Sequence, residues 1–134
     1  MNRAEVERLA RGKYLSLTTY KKDGTSVATP VWVARDGDEL VVITDAGSGK
    51  AKRIRNNGHV EVAPCDVRGR ITGASVAGQA RLTDSTGTEG IEAQIKRKYG
   101  LQYTAIGLME KLRRREAGGS VGIRIDVDTS GIRS

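Results

Sequence analysis

The sequence predicts a mainly β (α+β) fold, a small six-stranded antiparallel barrel with peripheral helices, formed by one domain over residues 1–134. About six segments are short, apolar at alternate positions and rich in β-branched residues, as half-buried strands are. Turn signals such as Asp36-Gly37 join neighbouring strands at hairpin spacing. The longer segments with helical periodicity come late in the chain, which places them outside the barrel.

The first half of the chain predicts two short helices and three strands. Asn2 resembles an N-cap, and the helix that it starts ends at Gly12. A second helix follows Ser48 and stops near Asn57-Gly58. The predicted strands span residues 13–20, 25–34 and 39–44.

The second half predicts three strands and two helices. The strands span residues 59–64, 70–83 and 121–127, and the helices span residues 89–99 and 105–116. Gly73 and Gly78 interrupt the second of these strands, which indicates bulges or a barrel corner.

Composition limits the class of protein. Only 37% of residues are hydrophobic and 4% aromatic, so the core is modest, and a homodimer would supply further burial. The net charge of +7 favours a polyanionic partner: nucleic acid, an anionic membrane surface or a small anionic cofactor. Cys65 is the only cysteine, which excludes an internal disulfide framework. No apolar stretch of membrane-spanning length and no signal peptide is recognised, so we expect a cytoplasmic protein with no membrane partner.

The segment 44–53 predicts an anion site between the third strand and the helix after it. Gly49 lets a ligand approach the backbone, and the N–H groups of the first helical turn point toward it. Ser48 adds a hydroxyl, and Lys50 and Arg53 share one helix face, from which Lys52 points away. The alternative is a solvated basic loop.

Two well-known phosphate motifs are excluded for this segment. A P-loop requires glycine where Thr44 stands and Ser or Thr where Ala51 stands. A dinucleotide fingerprint requires a third Gly or Ala where Lys52 stands. A phosphate ester of some other cofactor is therefore the better hypothesis.

Pro30 marks a second candidate site. Proline cannot donate to a β-ladder, so within a strand it indicates an edge or a bulge. Backbone groups of residues 28–32 would then be available to a planar heteroaromatic ring, with Trp32 as a possible wall. The alternatives are an ordinary edge strand and a core or interface tryptophan.

The usual catalytic and metal-binding sets are missing from the sequence. His59 is the only histidine, and we expect it at the surface or in a cap; Cys65 reads as a small buried residue. If the protein is an enzyme, the reactive atom belongs to a bound cofactor. The cations Arg113-Arg114-Arg115 complement a helix C-terminus, with nucleic-acid binding as a weaker alternative.

With these residues assembled, the chain resembles the FMN-binding split β-barrel proteins related to pyridoxamine 5′-phosphate oxidase. More closely, it resembles their actinobacterial branch that uses the deazaflavin coenzyme F420. The matching motifs are Leu15-Ser16-Leu17-Thr18-Thr19, Ala28-Thr29-Pro30-Val31-Trp32-Val33, Thr44-Asp45 through Ser48-Gly49-Lys50-Ala51-Lys52-Arg53, Val62-Ala63-Pro64-Cys65-Asp66, Arg68-Gly69-Arg70 and Gly78-Gln79-Ala80.

The resemblance implies a homodimer with F420 at the subunit interface, and FMN as the alternative cofactor. It implies that the phosphate lies on the segment after the third strand and that the ring lies on the second strand. The cofactor-binding residues implied are Val27, Ala28, Thr29, Pro30, Val31, Ser48, Gly49, Lys50, Lys52 and Arg53. The sequence ends Gly131-Ile132-Arg133-Ser134 and lacks the arginine-rich closing segment of pyridoxamine-phosphate oxidases, so we expect no vitamin B6 oxidation.

Three functions follow from these observations. The first is an F420-dependent oxidoreductase that transfers a hydride to a flat conjugated acceptor: a quinone, an enone or a tetrapyrrole. The second is a non-catalytic carrier of F420, FMN or haem. The third is a basic nucleic-acid-binding barrel.

Overall fold

The computed structural model describes residues 3–100 and 119–127, which form a seven-stranded antiparallel split barrel with three helices. In chain order the elements are α1 (Arg3–Ala10), β1 (Tyr14–Tyr20), β2 (Ser26–Trp32), β3 (Ala34–Asp36), β4 (Glu39–Asp45), α2 (Gly49–Asn56), β5 (His59–Cys65), β6 (Val76–Leu82), α3 (Ser85–Tyr99) and β7 (Ser120–Val127). The predicted mainly β barrel is confirmed.

The strand order explains why the barrel is split. The sheet runs β2-β1-β5-β6-β7-β4-β3, with β2 and β3 as its two ends. β6 turns the sheet, because its first half pairs with β5 and its second half with β7. Within the described residues β2 has a ladder with β1 alone, although it passes close to β4, so one edge of β2 is open.

Alternation along the strands places the core inside this curved sheet. On β1, Leu15 and Leu17 are fully buried, and they belong to the same cluster as Ile123 and Ile125 of β7. The helices α1 and α2 add the buried residues Val6, Leu9 and Ile54 to this cluster. One apolar core therefore joins the barrel to both short helices.

The longest described helix, α3, packs outside the barrel and forms a second core. Its buried residues Ile91, Ile95 and Tyr99 contact Val41 of β4 and its neighbours. Gly122 of β7 allows this close approach, because an added Cβ there would lie 2.7 Å from the Cδ1 atom of Ile91.

The predicted count of six strands was wrong by one. The predicted strand 25–34 divides at Val33, and the residues after it form the short strand β3, paired with β4. The physical reason is a tertiary contact. The backbone N–H and C=O of Val33 are hydrogen-bonded to the hydroxyl of Tyr99, at 3.1 and 2.9 Å, in place of ladder partners.

The limits of one other strand and one helix also differ from the predicted limits, for local reasons. The predicted strand 70–83 is shorter, and its register is continuous through Gly78, which confirms the barrel corner at that glycine rather than a bulge. The helix predicted over residues 89–99 begins earlier, at Ser85, because the side chain of Asp84 accepts the N–H of Gly87.

Two predicted features lie outside the described residues: the helix 105–116 and the cluster Arg113-Arg114-Arg115. In the part of the chain that is described, none of the helices has the length and apolar character needed to cross a membrane.

Candidate functional site

A cavity of about 220 Å³ lies at the open edge of β2, where this strand passes β4 and the start of α2. We call it the seam cavity. Its lining residues come from β2, β4, α2 and α3: Pro30, Val31, Trp32, Ile43, Thr44, Lys50 and Ile95. Four of these are large apolar side chains, and Lys50 contributes a cation. The cavity therefore combines four apolar side chains with a lining surface that is mostly polar and includes one positive charge.

Pro30 lies on the end strand, as its missing N–H predicted. It pairs in register with Ser16 of β1 and is exposed on its other side. An end strand directs alternate backbone groups away from its sheet, and proline removes one N–H from the ladder. The edge-strand prediction is confirmed, and the backbone beside Pro30 borders the seam cavity.

Trp32 forms one wall of the seam cavity, and the ring of Tyr99 stacks against it. The two rings stack with centroids 4.5 Å apart and planes 7° apart. The Tyr99 hydroxyl accepts the backbone N–H of Val33, and its one proton is shared between the carbonyl oxygens of Val33 and Lys13. Burial raises the pKa of Tyr99 to about 12. The phenol therefore stays protonated at neutral pH, and its role is to hold the wall in position.

The turn from β4 into α2 is organised by Ser48. Its hydroxyl accepts the backbone N–H of Ala51 at 3.2 Å, so Ser48 is the N-cap of α2. The same oxygen lies 3.3 Å from the Thr44 hydroxyl, at the end of β4. The serine predicted as an anion contact thus has a structural function in starting the helix beside the cavity.

Arg53 lies against the start of its own helix. Its Nε donates to the buried hydroxyl of Thr19 on β1 at 2.6 Å. An ideal Cβ built on Gly49 would lie 2.7 Å from Nη1 of Arg53. Gly49 therefore makes room for the guanidinium, which brings a second positive charge to the N-terminus of α2, where the helix dipole already favours anions.

The structure brings together three of the predicted residues in the seam cavity, namely Pro30, Val31 and Lys50. Ser48, Gly49 and Arg53 lie beside Lys50 at the start of α2, although Arg53 lines a different cavity. These residues connect the predicted ring strand to the predicted anion loop.

The remaining predicted residues lie elsewhere. Val27 and Thr29 are half-buried and pair with the core residues Thr19 and Leu17. Ala28 lies on the same strand face as Pro30, two residues away, and lines another cavity, between β2, β1 and β5. Lys52 is exposed and lines neither the seam cavity nor the cavity of Arg53.

Thr29 has an unusual side chain, because its hydroxyl oxygen is buried and has no hydrogen-bond partner within the described residues. A buried polar atom without a partner is costly, by about 1–3 kcal/mol. This atom lies on β2 next to Pro30, on the strand predicted to contact a cofactor ring.

Three residues of the seam cavity were missed as site residues by sequence reasoning: Ile43, Thr44 and Ile95. Thr44 had a local signal, because it stands at the end of a strand directly before the anion segment. Ile95 belongs to the predicted apolar face of a helix, and nothing in its neighbourhood shows that this face reaches the second strand.

The described residues contain no group of three or more His, Cys, Asp or Glu side chains that could hold a metal ion. His59 is exposed and stacks on Tyr20, with ring centroids 5.3 Å apart, which confirms the predicted surface position. Cys65 is buried, and burial raises the pKa of its thiol, so it is a packing residue as predicted.

Solved structures of low sequence identity share this fold. A putative pyridoxamine 5′-phosphate oxidase from Listeria innocua is 19% identical, with a TM-score of 0.63, covering 93% of this chain and 91% of that chain. The haem storage protein HutZ from Vibrio cholerae is 13% identical, with a TM-score of 0.66 and coverages of 93% and 89%. An F420 reductase is 17% identical, with a TM-score of 0.57 and coverages of 91% of each chain.

Among curated proteins, no sequence gives a significant match. The family model for pyridoxamine 5′-phosphate oxidase matches residues 1–131, nearly the whole chain. Together with the seven-stranded split barrel, this match shows that the chain belongs to the pyridoxamine 5′-phosphate oxidase-like split-barrel family.

Proposed function

We propose that the protein is an F420-dependent oxidoreductase that transfers a hydride to a flat conjugated acceptor. The observation that supports this most is the seam cavity, in which the open strand edge at Pro30 and Val31 meets Lys50 at the start of α2. A ring-bearing cofactor with a phosphate requires these two kinds of surface side by side.

The residues present fit such a cofactor. Trp32, Ile43 and Ile95 provide apolar surface for a planar ring, and Lys50 and Arg53 provide cations for a phosphate. F420 is favoured over FMN because its phosphodiester and glutamate tail match the net charge of +7.

When bound, the reduced deazaflavin supplies the hydride. The chain's own residues would hold the ring: the β2 edge at Pro30 and Val31 would border it, Trp32 would form a wall, and Lys50 would bind the phosphate. Tyr99 is no proton donor at neutral pH, since its pKa is about 12 and its hydroxyl is bonded to backbone. We propose water as the source of the product's proton.

We also propose that the working form is a homodimer with the cofactor between subunits. The seam cavity has about 220 Å³, below the roughly 300–1,000 Å³ of most small-molecule pockets. A second copy would add the missing walls and cover exposed apolar side chains such as Ile71, which is 55% exposed. Light scattering with cofactor present tests this, and a monomer at micromolar concentration would reject it.

A carrier of F420, FMN or haem is the second candidate function. It is favoured by the similarity to a haem storage protein, although that similarity concerns the fold. A carrier would bind its ligand but leave a reduced cofactor unconsumed when acceptors are added.

Two measurements distinguish the candidates. Parallel titrations with F420, FMN and haem establish the ligand, and we expect F420 to bind most tightly at physiological salt. Anaerobic re-oxidation of reduced F420, followed by absorbance, is then measured with quinones, enones and biliverdin. Turnover above the protein-free rate supports the reductase, whereas tight binding without turnover supports the carrier. Equal affinity for FMN and F420 would refute the deazaflavin assignment.

A further inference from the structure

The side chain of Lys98, near the end of α3, binds the protein's own backbone. Its ammonium group donates to three carbonyl oxygens, those of Ala10 at 2.6 Å, Gly12 at 2.8 Å and Val33 at 2.8 Å. An ammonium group has three N–H donors, so these carbonyls use all of them. Lys98 therefore has no donor left for a ligand, although it is an exposed lysine.

Among the described residues, no carboxylate pairs with this ammonium group. Lys98 borders a surface groove that Glu7 also lines, but the carboxylate of Glu7 accepts from Arg35 at 3.2 Å. Taking a charge out of water is costly unless hydrogen bonds compensate for the lost hydration. Here the compensation is three short, charge-assisted hydrogen bonds to carbonyl oxygens. We call these three carbonyls the carbonyl site.

The carbonyl site joins segments that are far apart in the chain. Ala10 ends α1, where the last carbonyls of a helix lack partners within it and a cation opposes the negative end of the helix dipole. Gly12 lies just before β1, and Val33 separates β2 from β3. Lys98 therefore fastens the end of α1 and the break between β2 and β3 to the end of α3.

The backbone at Val33 sets the direction of the Trp32 wall, because the chain passes between two cores at this point. The side chain of Val33 is fully buried in the barrel core, whereas Trp32 packs against the second core. The ring centroid of Tyr99 lies 4.5 Å from that of Trp32 and 5.3 Å from the Lys98 ammonium. Lys98 thus contacts both the carbonyl that follows Trp32 and the ring that stacks on it.

We propose that Lys98 is a positioning residue for the seam cavity: its ammonium, held by three backbone carbonyls, keeps the Trp32 wall in place. Without the ammonium, the carbonyl site loses its donors, and Tyr99 alone holds the break between β2 and β3. The wall would then shift, and a ring would bind more weakly. The effect on cofactor binding rests on the proposed function, whereas the effect on Trp32 requires no ligand.

The test replaces Lys98 with methionine, which keeps a long unbranched side chain but has no charge and no N–H donor. Lys96→Met is the matched control, because Lys96 is an exposed lysine in the same last turn of α3. Both changes remove one charge from the same end of the helix, and methionine and lysine have similar helix propensities. The difference between the two variants therefore reports the contacts of the carbonyl site.

Trp32 is the only tryptophan of the chain, so its fluorescence reports on the wall directly. In folded, cofactor-free Lys98→Met we expect red-shifted emission and stronger quenching by acrylamide, whereas Lys96→Met should match the wild type. F420 should bind Lys98→Met about fivefold more weakly than the wild type, the size expected for a residue that acts through its neighbours. Its affinity for Lys96→Met should stay within about twofold of the wild type.

A second variant tests the chemistry of the carbonyl site. Lys98→Ala removes the atoms that propylammonium contains, so added propylammonium can bind between the carbonyls in their place. Tetramethylammonium at the same concentration has the same charge but no N–H donor. We expect propylammonium, and not tetramethylammonium, to return the quenching of Trp32 toward the wild-type value. If Lys98→Met does not fold, recovery of folded Lys98→Ala by propylammonium alone gives the same test.

A change in Trp32 and in F420 affinity that is confined to the Lys98 variants and reversed by propylammonium supports the proposal. Equal quenching in Lys98→Met, Lys96→Met and the wild type would overturn it, as would equal responses of Lys98→Ala to the two ammonium ions. Altered quenching with unchanged F420 affinity would overturn the role in cofactor binding. If the wild type does not bind F420, the proposed function fails, and the fluorescence still decides whether Lys98 holds the wall.

Discussion

Lys50 and Lys52 provide the sharpest test of the site, because they are the same residue type two positions apart on α2. Lys50 is half-buried and lines the seam cavity, whereas Lys52 is exposed and lines neither cavity. Replacing each with alanine removes the same charge. Alanine also has a slightly higher helix propensity than lysine, so neither change should weaken α2 itself.

The expected magnitudes differ because the surroundings differ. A hydrogen bond from the Lys50 ammonium to a phosphate is charge-assisted and partly shielded from water, worth about 1.5–3 kcal/mol. Its loss weakens F420 binding about 10- to 150-fold. Lys52 can contribute only as an exposed charge, worth about 0–1 kcal/mol, or at most about fivefold.

The measurement is an F420 titration of wild type, Lys50→Ala and Lys52→Ala at one fixed salt concentration. Urea unfolding of the three proteins without cofactor provides the control, and the midpoints should agree. If folded Lys50→Ala binds F420 as tightly as the wild type, the start of α2 is not the phosphate site. Equal losses in both variants would indicate a general charge effect instead.

Three further predictions concern the stability of the fold that surrounds the seam cavity. Tyr99→Phe should lower the free energy of unfolding by about 1–3 kcal/mol in urea titrations, because the buried N–H of Val33 loses its acceptor; an unchanged midpoint would contradict this. Gly122→Ala should destabilise by about 1–3 kcal/mol, since the added Cβ would lie 2.7 Å from an isoleucine methyl of α3; a stability equal to wild type would show that the helix shifts freely. The pKa of Glu39 is held below its usual value, mainly by a hydrogen bond from the arginine of β6 and secondarily by one from the arginine of β7. The ionised carboxylate therefore stabilises the fold at neutral pH, and this stabilisation is lost as pH falls below about 4. Glu39→Gln should therefore show a shallower loss of stability between about pH 5 and pH 3 than wild type, and parallel curves would refute it.

Most of the barrel was predictable because strand alternation is a local property. The predicted strands 13–20 and 121–127 agree closely with β1 and β7, whose fully buried large apolar residues lie at alternate positions: Leu15 and Leu17 on β1, and Ile123 and Ile125 on β7. The missed strand β3 depends on a contact between Val33 and Tyr99, which are 66 positions apart. No local pattern contains that information, since Val33 has the same alternation as the residues before it.

In the candidate site, too, the residues that could be predicted are those that local chemistry indicates, and the features that could not be predicted depend on distant contacts. Pro30 and Lys50 were predicted from local chemistry, a missing N–H and a cation after a strand end. The space above Gly49 holds the guanidinium of Arg53, which the sequence around Gly49 does not indicate. That position depends on Thr19 of β1, a partner that the sequence around Arg53 does not identify.

The two faces of α2 explain why binding and folding can be tested separately. Ala51 and Ile54 are buried and fasten the helix to the protein, and Ile54 belongs to the barrel core. Lys50 and Arg53 lie on a different face, which borders the two cavities. The charge of Lys50 adds little to the burial that holds the helix in place, whereas Arg53 also donates to the buried hydroxyl of Thr19, so Lys50 is the position at which binding can be tested apart from folding. The position of these cations beside an open strand edge is the arrangement expected if the helix positions an anionic cofactor, as proposed above.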